Sequence, residues 1–306
     1  MSDKPRTGVN LRCITLTALL RPAALFAMAL ALAGTARADS AEALRDKYQT
    51  LTSQLKHNAF NKPLVLSSVE TPNKLSGEIH AVMAYPFDRL SSGLSSPTHW
   101  CDVMSLHINT KYCRATVTPT ASKLIVRIGS KGPEELSRAA RLEFEYSAPT
   151  VTQDYLSVAL AAKAGPLGTS DYRITLEAVP LLDGRSFLRL RYSYAFGLMG
   201  KLAMQTYLAT VGSDKVGFTV VAQRPDGEPE YIGGVRGVVE RNTMRYYLAV
   251  DSFLESMPTP PAAQFEQRLH SWFAATERYA RQLHEGNLEA YLAMKRAEQV
   301  REQEDD

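Results

Sequence analysis

Two histidines, two cysteines and a tryptophan lie within fifteen residues, HWCDVMSLHINTKYC, from His99 to Cys113. These residue types support three chemistries. A zinc site would need His99, Cys101, His107 and Cys113 to converge on one ion. A thiol nucleophile would need a free, acidified cysteine beside a base. A disulfide needs only that the two cysteines come within bridging distance, so the compartment and the surrounding elements decide between the three.

The N-terminus has the layout of a signal peptide. Residues 1–21 carry basic side chains, residues 22–34 form an uncharged and almost wholly apolar run, and small residues at Ala36 and Ala38 predict cleavage after Ala38. The apolar run of about 13 residues is shorter than the roughly 20 that a bilayer span requires. We therefore expect residues 1–38 to direct export, in a bacterium to the periplasm. Retention of this segment as an N-terminal anchor stays open.

The charge of the exported chain excludes a nucleic-acid-binding function. Residues 1–38 hold five basic residues and one acidic residue, which leaves 30 Lys and Arg against 31 Asp and Glu. A near-neutral chain without a basic stripe has no electrostatic footprint for nucleic acid. The remaining residues are enough for one large domain, and we assign residues 39–300 to a single domain followed by a charged tail at residues 301–306, expected to fray.

The cysteines of the fifteen-residue stretch are expected to form a disulfide. Cys13 belongs to the signal segment, so Cys101 and Cys113 are the pair that remains in an oxidising compartment. On a predicted helix, His99 and Cys101 point about 200° apart. His107 and Cys113, on a predicted strand, lie roughly 20 Å apart. This geometry disfavours the metal site, and export disfavours the free thiol.

The hydrophobic patterns predict an α+β chain. We expect a helix at about 40–56, strands at 63–70 and 77–86, and two short helices, the second opened by Pro97. A run of strands and a helical turn follows up to residue 196, including a hairpin at Asp183-Gly184. A helical stretch at 197–211 and a strand at 215–223 come next. Two helices close the chain, at about 235–256 and 261–300.

This order resembles the helix-grip fold of the START and polyketide-cyclase-like (SRPBCC) superfamily. The resemblance rests on residues 77–113, where a strand leads through YPFDRL into two helices that end near a tryptophan, and on the Asp183-Gly184 hairpin. It implies a curved antiparallel sheet wrapped around a long C-terminal helix, with an apolar cavity between them. Some relatives are enzymes, and many carry lipids, sterols or polyketide-like molecules. The N-terminal helix, the 197–211 helix and the second terminal helix are additions to that fold.

The candidate ligand-binding residues are tyrosines on strands and one asparagine. In the strand that follows the hairpin, apolar and aromatic residues alternate with arginines and a serine, which predicts one face against a core and one against water. Tyrosines there could give a greasy cavity a few orienting hydroxyls, although ordinary core packing explains each one as well. The candidates are Tyr112, Tyr146, Tyr192, Tyr194 and Asn242.

The charged residues of the last two helices have structural explanations. Pairing at i,i+4 accounts for Arg236, Glu240, Arg241 and Arg245. His270, Glu277 and His284 share a helix face, but each step of seven residues rises about 10.5 Å, too far to share an ion or a proton.

Three functions remain open. The first is an exported binding protein for a hydrophobic small molecule, such as a lipid, held between the sheet and the C-terminal helix. The second is an enzyme on the same fold that uses a cavity tyrosine or histidine as acid or base. The third is a non-catalytic envelope interaction protein whose long terminal helices dock a partner, which requires an exposed apolar stripe on residues 261–300 and a closed, filled core. Transient contact with a membrane or with an envelope protein stays open. No sequence motif indicates a metal or a cofactor.

Overall fold

The computed structural model describes Met1, residues 40–210 and residues 212–304. The chain divides into two units, Met1–Ala43 and Leu44–Asp306, and the second unit contains the sheet and the helices that pack on it. Apart from Met1, the predicted signal peptide at residues 1–38 lies outside the described residues, so cleavage and export stay predictions. Within the described part of the chain, no helix combines the length and the apolar character that crossing a bilayer requires.

The centre of the larger unit is an antiparallel sheet. Among the described residues it has nine strands, ordered β1-β2-β9-β8-β7-β5-β4-β3, with β6 paired to β7. The strands are β1 (Leu64–Thr71), β2 (Lys74–Met83), β3 (Thr110–Val117), β4 (Ser122–Ile128), β5 (Ala140–Tyr146), β6 (Thr150–Val151), β7 (Leu156–Ala164), β8 (Thr169–Pro180) and β9 (Ser186–Phe196). A separate hairpin consists of β10 (Val220–Gln223) and β11 (Pro229–Tyr231).

The helices occur where the patterns predict them, with one exception. Residues 40–56 are helical (α1). The others are α2 (Phe87–Leu94), α3 (Pro97–Ser105), α4 (Leu198–Ala209), α5 (Gly234–Ser256), α6 (Pro261–Glu277), α7 (Ala280–Leu283) and α8 (Leu288–Glu304). The sequence predicted α2, α3, α4 and α5 closely, and Pro97 stands in the first turn of α3.

The long helix α5 lies against the inner face of the sheet. Its nearest approach is at β2, where a Cβ on Gly77 would overlap the side chain of Thr243, so only glycine lets the two backbones come this close. Because α5 also packs against α6, most of its circumference is buried. The α+β architecture, with a sheet wrapped around this helix, confirms the predicted fold class.

The predicted alternation of β9 is present. Leu188, Leu190, Tyr192 and Tyr194 are buried in the core. On the opposite face, Arg189 pairs with Glu78 at 2.7 Å and with Glu177 at 3.2 Å.

The prediction of one helix over residues 261–300 is wrong. The helix stops after Glu277, a short turn of helix follows, and α8 starts after Gly286, whose φ of 150° favours glycine. Asn287 begins the new helix, since its Oδ1 accepts a hydrogen bond from the Ala290 N–H at 2.8 Å. The break folds the chain back, so that His284 Nδ1 lies 3.0 Å from Glu277 Oε2, a contact that a continuous helix would forbid.

Two other boundaries differ from the prediction. The strand expected at 215–223 is confined to Val220–Gln223. Residues 301–304, expected to fray, are the last turn of α8, because the chain there is held by hydrogen bonds such as that between Glu302 Oε1 and the Cys113 N–H at 2.8 Å. Asp305 and Asp306 lie outside the described residues.

The disulfide joins α3 to β3. Cys101 and Cys113 are bonded, with their Cα atoms 5.2 Å apart. His99 Nδ1 donates instead to the Gly93 carbonyl, 2.8 Å away. His107 precedes β3 rather than lying on it, in the loop of residues 106–109. The fifteen-residue stretch is therefore a stapled junction between a helix and the sheet.

Candidate ligand-binding cavity

A cavity of about 340 Å³ lies between the sheet and α5, under α4. Its volume is within the range of small-molecule pockets. The β8 and β9 strands, helices α4 and α5, and the loops that flank β3 and β4 contribute to its lining. The lining residues that carry polar or aromatic groups are His107, Asn109, Lys131, Thr169, Tyr172, Tyr192, Tyr194, Tyr207, Arg241, Asn242, Arg245 and Tyr246.

Four tyrosine rings form the aromatic wall of the cavity. Tyr172 of β8 stacks on Tyr194 of β9 with ring centroids 5.3 Å apart. Tyr192 lies 5.3 Å from Tyr246 of α5, centroid to centroid. The strand alternation places Tyr192 and Tyr194 on the inner face, and the α5 helix brings Tyr246 to them. The rings thus offer a broad apolar surface with hydroxyl groups at its edge.

Most of these hydroxyls lack a protein partner. Tyr172 Oη lies 2.9 Å from Thr169 Oγ1. Among the described residues, the hydroxyls of Tyr192, Tyr194 and Tyr246 have no hydrogen bond to a protein group. Burial raises the pKa of all three above its ordinary value, so they stay protonated. They are available to donate to, or accept from, a bound molecule.

His107 presents a neutral imidazole to the cavity. Its Nδ1 accepts a hydrogen bond from the Asn109 N–H at 3.2 Å, which assigns the proton to Nε2. Burial, reinforced by Arg245 and Lys295, holds the pKa of His107 well below its usual range, and the Asn242 side chain opposes this only in part. Nε2 is buried and has no hydrogen-bond partner. The Nε2–H can therefore donate to a bound molecule, in competition with the Asn242 side chain, whose interaction with His107 raises the pKa of the imidazole.

Two arginines of α5 line the same cavity. Arg241 and Arg245 are each 2% exposed and stand one helical turn apart. Arg241 Nη1 donates to the Val216 carbonyl at 3.2 Å. Arg245 Nη2 lies 2.8 Å from Glu285 Oε1, while its Nε is buried without a partner. The i,i+4 pairing predicted for these charges is wrong.

Glu240 shows why that pairing fails. Its carboxylate turns away from the arginines and accepts hydrogen bonds from the Phe218 and Thr219 N–H groups at 2.6 and 2.9 Å, and from Ser68 Oγ at 2.6 Å. Glu240 is fully buried, so these bonds replace its hydration.

Two buried lysines fix the loop that carries His107. Lys295 Nζ of α8 donates to the carbonyls of His107 and Thr110 at 2.9 and 2.8 Å. Lys111 Nζ donates to the Ile108 carbonyl at 3.2 Å. Glu298 accepts from both, at 2.9 Å from Lys295 and 3.1 Å from Lys111. The loop is thereby held from behind by groups that do not line the cavity.

The candidate residues inferred from the sequence separate into two groups. Tyr192, Tyr194 and Asn242 line the cavity. Tyr112 does not, because it lines a different groove that also contains the disulfide. Tyr146 is buried in the core with an unpartnered hydroxyl and is not part of the cavity wall. Tyr112 and Tyr146 are therefore removed from the candidate site.

Sequence reasoning missed five members of the site: Tyr172, His107, Arg241, Arg245 and Tyr246. Tyr172 belongs to the inward-facing set of β8 and was open to the same argument as Tyr192. The other four had no such signal, because His107 was expected on a strand beside the disulfide and charged residues on a helix face are ordinary surface features in a sequence. The helical pattern places Tyr246 on the apolar side of α5 and indicates nothing beyond packing.

A larger cleft and a metal site are weaker candidates. The cleft, of about 700 Å³, lies against β1 and adjoins the cavity at Met204. Among its lining residues there is no tyrosine or histidine, so it offers less for recognition. Within the described part of the chain, no group of three or more His, Cys, Asp or Glu side chains is placed to hold a metal ion.

No family model and no curated protein matches the sequence. Among solved structures, the chain is similar to Ara h 8.0201 at 10% identity, with a TM-score of 0.36 over 60% of this chain and 99% of that one. Norcoclaurine synthase from Thalictrum flavum, in complex with dopamine and hydroxybenzaldehyde, has 13% identity and a TM-score of 0.32 over 47% and 77%. A START superfamily protein from Mycobacterium smegmatis has 13% identity and a TM-score of 0.30 over 44% and 88%.

The strand order decides the fold. In the sheet, β2 is hydrogen-bonded to β9, α2 and α3 connect β2 to the far edge strand β3, and α5 lies in the curve of the sheet. The chain has the helix-grip fold. In this helix-grip chain α5 is the gripped helix, whereas α6 and α8 are additions: α6 packs on α5, and α8 packs on α6 and β3.

Proposed function

We propose that this protein binds a hydrophobic small molecule between its sheet and α5, and that it does so after export. The observation that carries the proposal is the set of three cavity-lining tyrosines, Tyr192, Tyr194 and Tyr246, whose hydroxyls have no hydrogen bond to another described residue. These three hydroxyls are not among the fully buried side-chain atoms without a partner, so they are open to the cavity and can bond the polar atoms of a bound molecule. A lipid is the ligand class we expect.

Helix α4 forms part of the cavity wall, and we place the entrance of the ligand there. This helix has a half-buried side that includes Ala203, Met204 and Tyr207, which line the cavity. Its other side exposes Leu198, Met199 and Leu202. Movement of this one helix would open the aromatic wall to a ligand, and its exposed apolar side suits brief contact with a membrane.

The binding proposal is tested with a neutral fluorescent probe, N-phenyl-1-naphthylamine. The protein without residues 1–38 should enhance the fluorescence of the probe with saturable, one-site behaviour, and native mass spectrometry of freshly purified protein should show a co-purifying apolar molecule. A protein that neither carries such a molecule nor binds the probe would disprove the proposal.

Export is tested separately with the full-length chain in a bacterial host. We expect the protein in the periplasmic fraction, with a mature N-terminus at Asp39. A full-length N-terminus in the membrane fraction would indicate the anchored alternative instead.

An enzyme on the same fold remains a second candidate because of His107. Its neutral imidazole lies 5.0 Å from the Tyr246 ring, centroid to centroid, inside the cavity. With Nδ1 occupied by the Asn109 N–H, however, the neutral ring can donate a hydrogen bond from Nε2 but lacks a free basic nitrogen. That state suits ligand recognition better than general-base catalysis.

The structure offers little support for the hypothesis of an envelope interaction protein. It required an exposed apolar stripe on residues 261–300, but Leu269, Trp272 and Leu283 are buried. Trp272 Nε1 donates to the Arg245 carbonyl at 3.2 Å, which ties α6 to α5. The terminal helices bury these apolar residues within this chain.

A further inference from the structure

The charged side chains that line the cavity are all cationic. Lys131, Arg241 and Arg245 line it, and no carboxylate is among its lining residues. The nearest compensating group is Glu285, which lies behind Arg245. Glu285 is shared, since its carboxylate also lies 2.6 Å from Lys131 Nζ and 3.3 Å from Lys215 Nζ. One negative charge therefore faces three cations, before Arg241 is counted.

Among these cations, Arg241 is the one that has no carboxylate partner within the described residues. It is 2% exposed, and its one hydrogen bond to the described chain goes to the Val216 carbonyl. Among the described residues, no carboxylate oxygen lies within 4 Å of its guanidinium nitrogens. The adjacent Glu240 is held by Phe218 and Thr219 and faces another way. A buried, unpaired guanidinium is strongly unfavourable unless an anion is supplied.

The neighbouring groups are donors as well. His107 Nε2 and Arg245 Nε are both buried and both without a partner. A guanidinium nitrogen carries only hydrogen for bonding, and the Nε2 of this histidine tautomer does too. An array that can only donate is matched by a group that can only accept, such as a carboxylate, sulfonate or phosphate.

We propose that the ligand is an amphiphilic anion, whose charged group binds at Arg241, with His107 and Arg245 as further donors, and whose apolar body lies on the four-tyrosine wall. This inference rests on the proposed function and narrows it from hydrophobic molecules in general to hydrophobic anions. It also assigns to Arg241 a role in specificity.

The test compares two probes that differ in one anionic group. 1-Anilinonaphthalene-8-sulfonate is N-phenyl-1-naphthylamine with an added sulfonate, so the ratio of their dissociation constants isolates the anion. We expect the protein to bind the sulfonate at least about tenfold more tightly than the neutral probe, the value of one charge-assisted hydrogen bond. Equal affinities would overturn the inference and leave the proposed function standing, whereas failure of both probes would overturn the proposed function itself.

Substitution of Arg241 locates the anion. Arg241→Met should weaken binding of the sulfonate far more than binding of the neutral probe, so that the preference for the sulfonate disappears, and Arg241→Lys should keep part of the preference. The matched control is Arg236→Met on the same helix, since Arg236 bonds Ser68 and lines the other cleft. Equal weakening of both probes by Arg241→Met would mean that Arg241 is structural, and would overturn its assignment.

A final arm separates an amphiphile from a free anion. Millimolar inorganic sulfate should not displace the sulfonate probe, because the apolar body supplies much of the binding. Complete displacement of the probe by sulfate would overturn the inference that the ligand is amphiphilic and would indicate a site for small anions.

Discussion

Lys295 reaches from α8 to the loop in front of β3 and donates a hydrogen bond to the carbonyl oxygen of His107 at 2.9 Å. The lysine is buried, and burial lowers its pKa to about 8 although Glu298 raises it. Burying a charged ammonium group is unfavourable unless it makes hydrogen bonds. Here Lys295 makes them to the backbone carbonyls of the loop that positions His107 in the cavity. The site thus depends on a helix that does not line it.

Replacing this lysine should weaken binding without touching the ligand. We expect Lys295→Met to free the His107 and Thr110 carbonyls and to lower the affinity for the sulfonate probe by about 2- to 30-fold, as for a residue coupled indirectly to a site by about 0.5–2 kcal/mol. Probe titration measures the effect. Lys163→Met, on an exposed side chain, is the control and should change nothing; unchanged affinity in a folded Lys295→Met protein would contradict the prediction.

Glu302 should make stability depend on pH. Burial, with help from Glu298 and Asp102, raises the pKa of its carboxyl to about 7 from an ordinary 4.5, against the opposing Cys113 N–H and Lys295. Between these values the folded chain binds the proton that the unfolded chain releases, so the contribution of this group to stability falls as pH rises from 4.5 to 7.

The Glu302→Gln variant tests the sign. It should have a higher midpoint of thermal unfolding than the native protein above pH 7, and the difference should vanish near pH 4.5. Glu304→Gln, at an exposed position on the same helix turn, should show no such trend. A difference that is constant across this range would rule out titration of Glu302.

Filling the cavity from α4 should abolish binding. Ala203 lines the cavity, so the indole of Ala203→Trp would occupy the space of the ligand. Leu202→Trp adds the same side chain at the neighbouring position, which is 56% exposed. We expect the first variant to lower affinity for N-phenyl-1-naphthylamine at least about tenfold and the second to retain it. Similar affinities of the two variants would place the probe elsewhere.

Two tyrosine-to-phenylalanine changes should have opposite consequences for stability. Tyr172→Phe removes the hydrogen bond to Thr169 and should cost about 1 kcal/mol. Tyr192→Phe removes a hydroxyl that has no partner within the described chain, and should leave the ligand-free protein equally or more stable. Thermal unfolding of the two ligand-free variants measures these changes in stability. A larger loss of stability for Tyr192→Phe than for Tyr172→Phe would show that the Tyr192 hydroxyl stabilises the fold.

The disulfide should be both present and stabilising. Peptide mapping without reduction should find Cys101 linked to Cys113. The double variant Cys101→Ser, Cys113→Ser should lose about 3 kcal/mol of unfolding free energy in the chain-entropy model of a loop this size. Two freely alkylated thiols in protein recovered from the periplasm would refute the pairing.

The hairpin at Asp183-Gly184 illustrates what the sequence could predict. Turn residues and a clean two-residue alternation specify which side of β9 faces the core, and this alone brings Tyr192 and Tyr194 to the cavity. The disulfide was equally accessible, because compartment and cysteine number leave few options. Predictions of this kind depend on residues close together in the sequence, so the tertiary arrangement does not alter them.

Tyr112 and Arg241 illustrate what could not be predicted from the sequence. The edge strand β3 is covered on one face by the core and on the other by α8, so residues 110–113 are all buried and alternation cannot tell the faces apart. Arg241 stands on a helix enclosed by the sheet, α6 and the 215–219 segment. A charged residue in a helix pattern predicts a position exposed to solvent, and only the tertiary arrangement shows that Arg241 is buried.

The separation in sequence between His107 and Lys295, 188 residues, sets an order of events during synthesis. When the sheet and the gripped helix have left the ribosome, the loop bearing His107 still lacks the cation that holds it. A nascent chain that stops before α8 would have the four-tyrosine wall, but its His107 loop would not yet be held in place by Lys295. Ligand capture by this protein should consequently begin late, after α8 has emerged and docked.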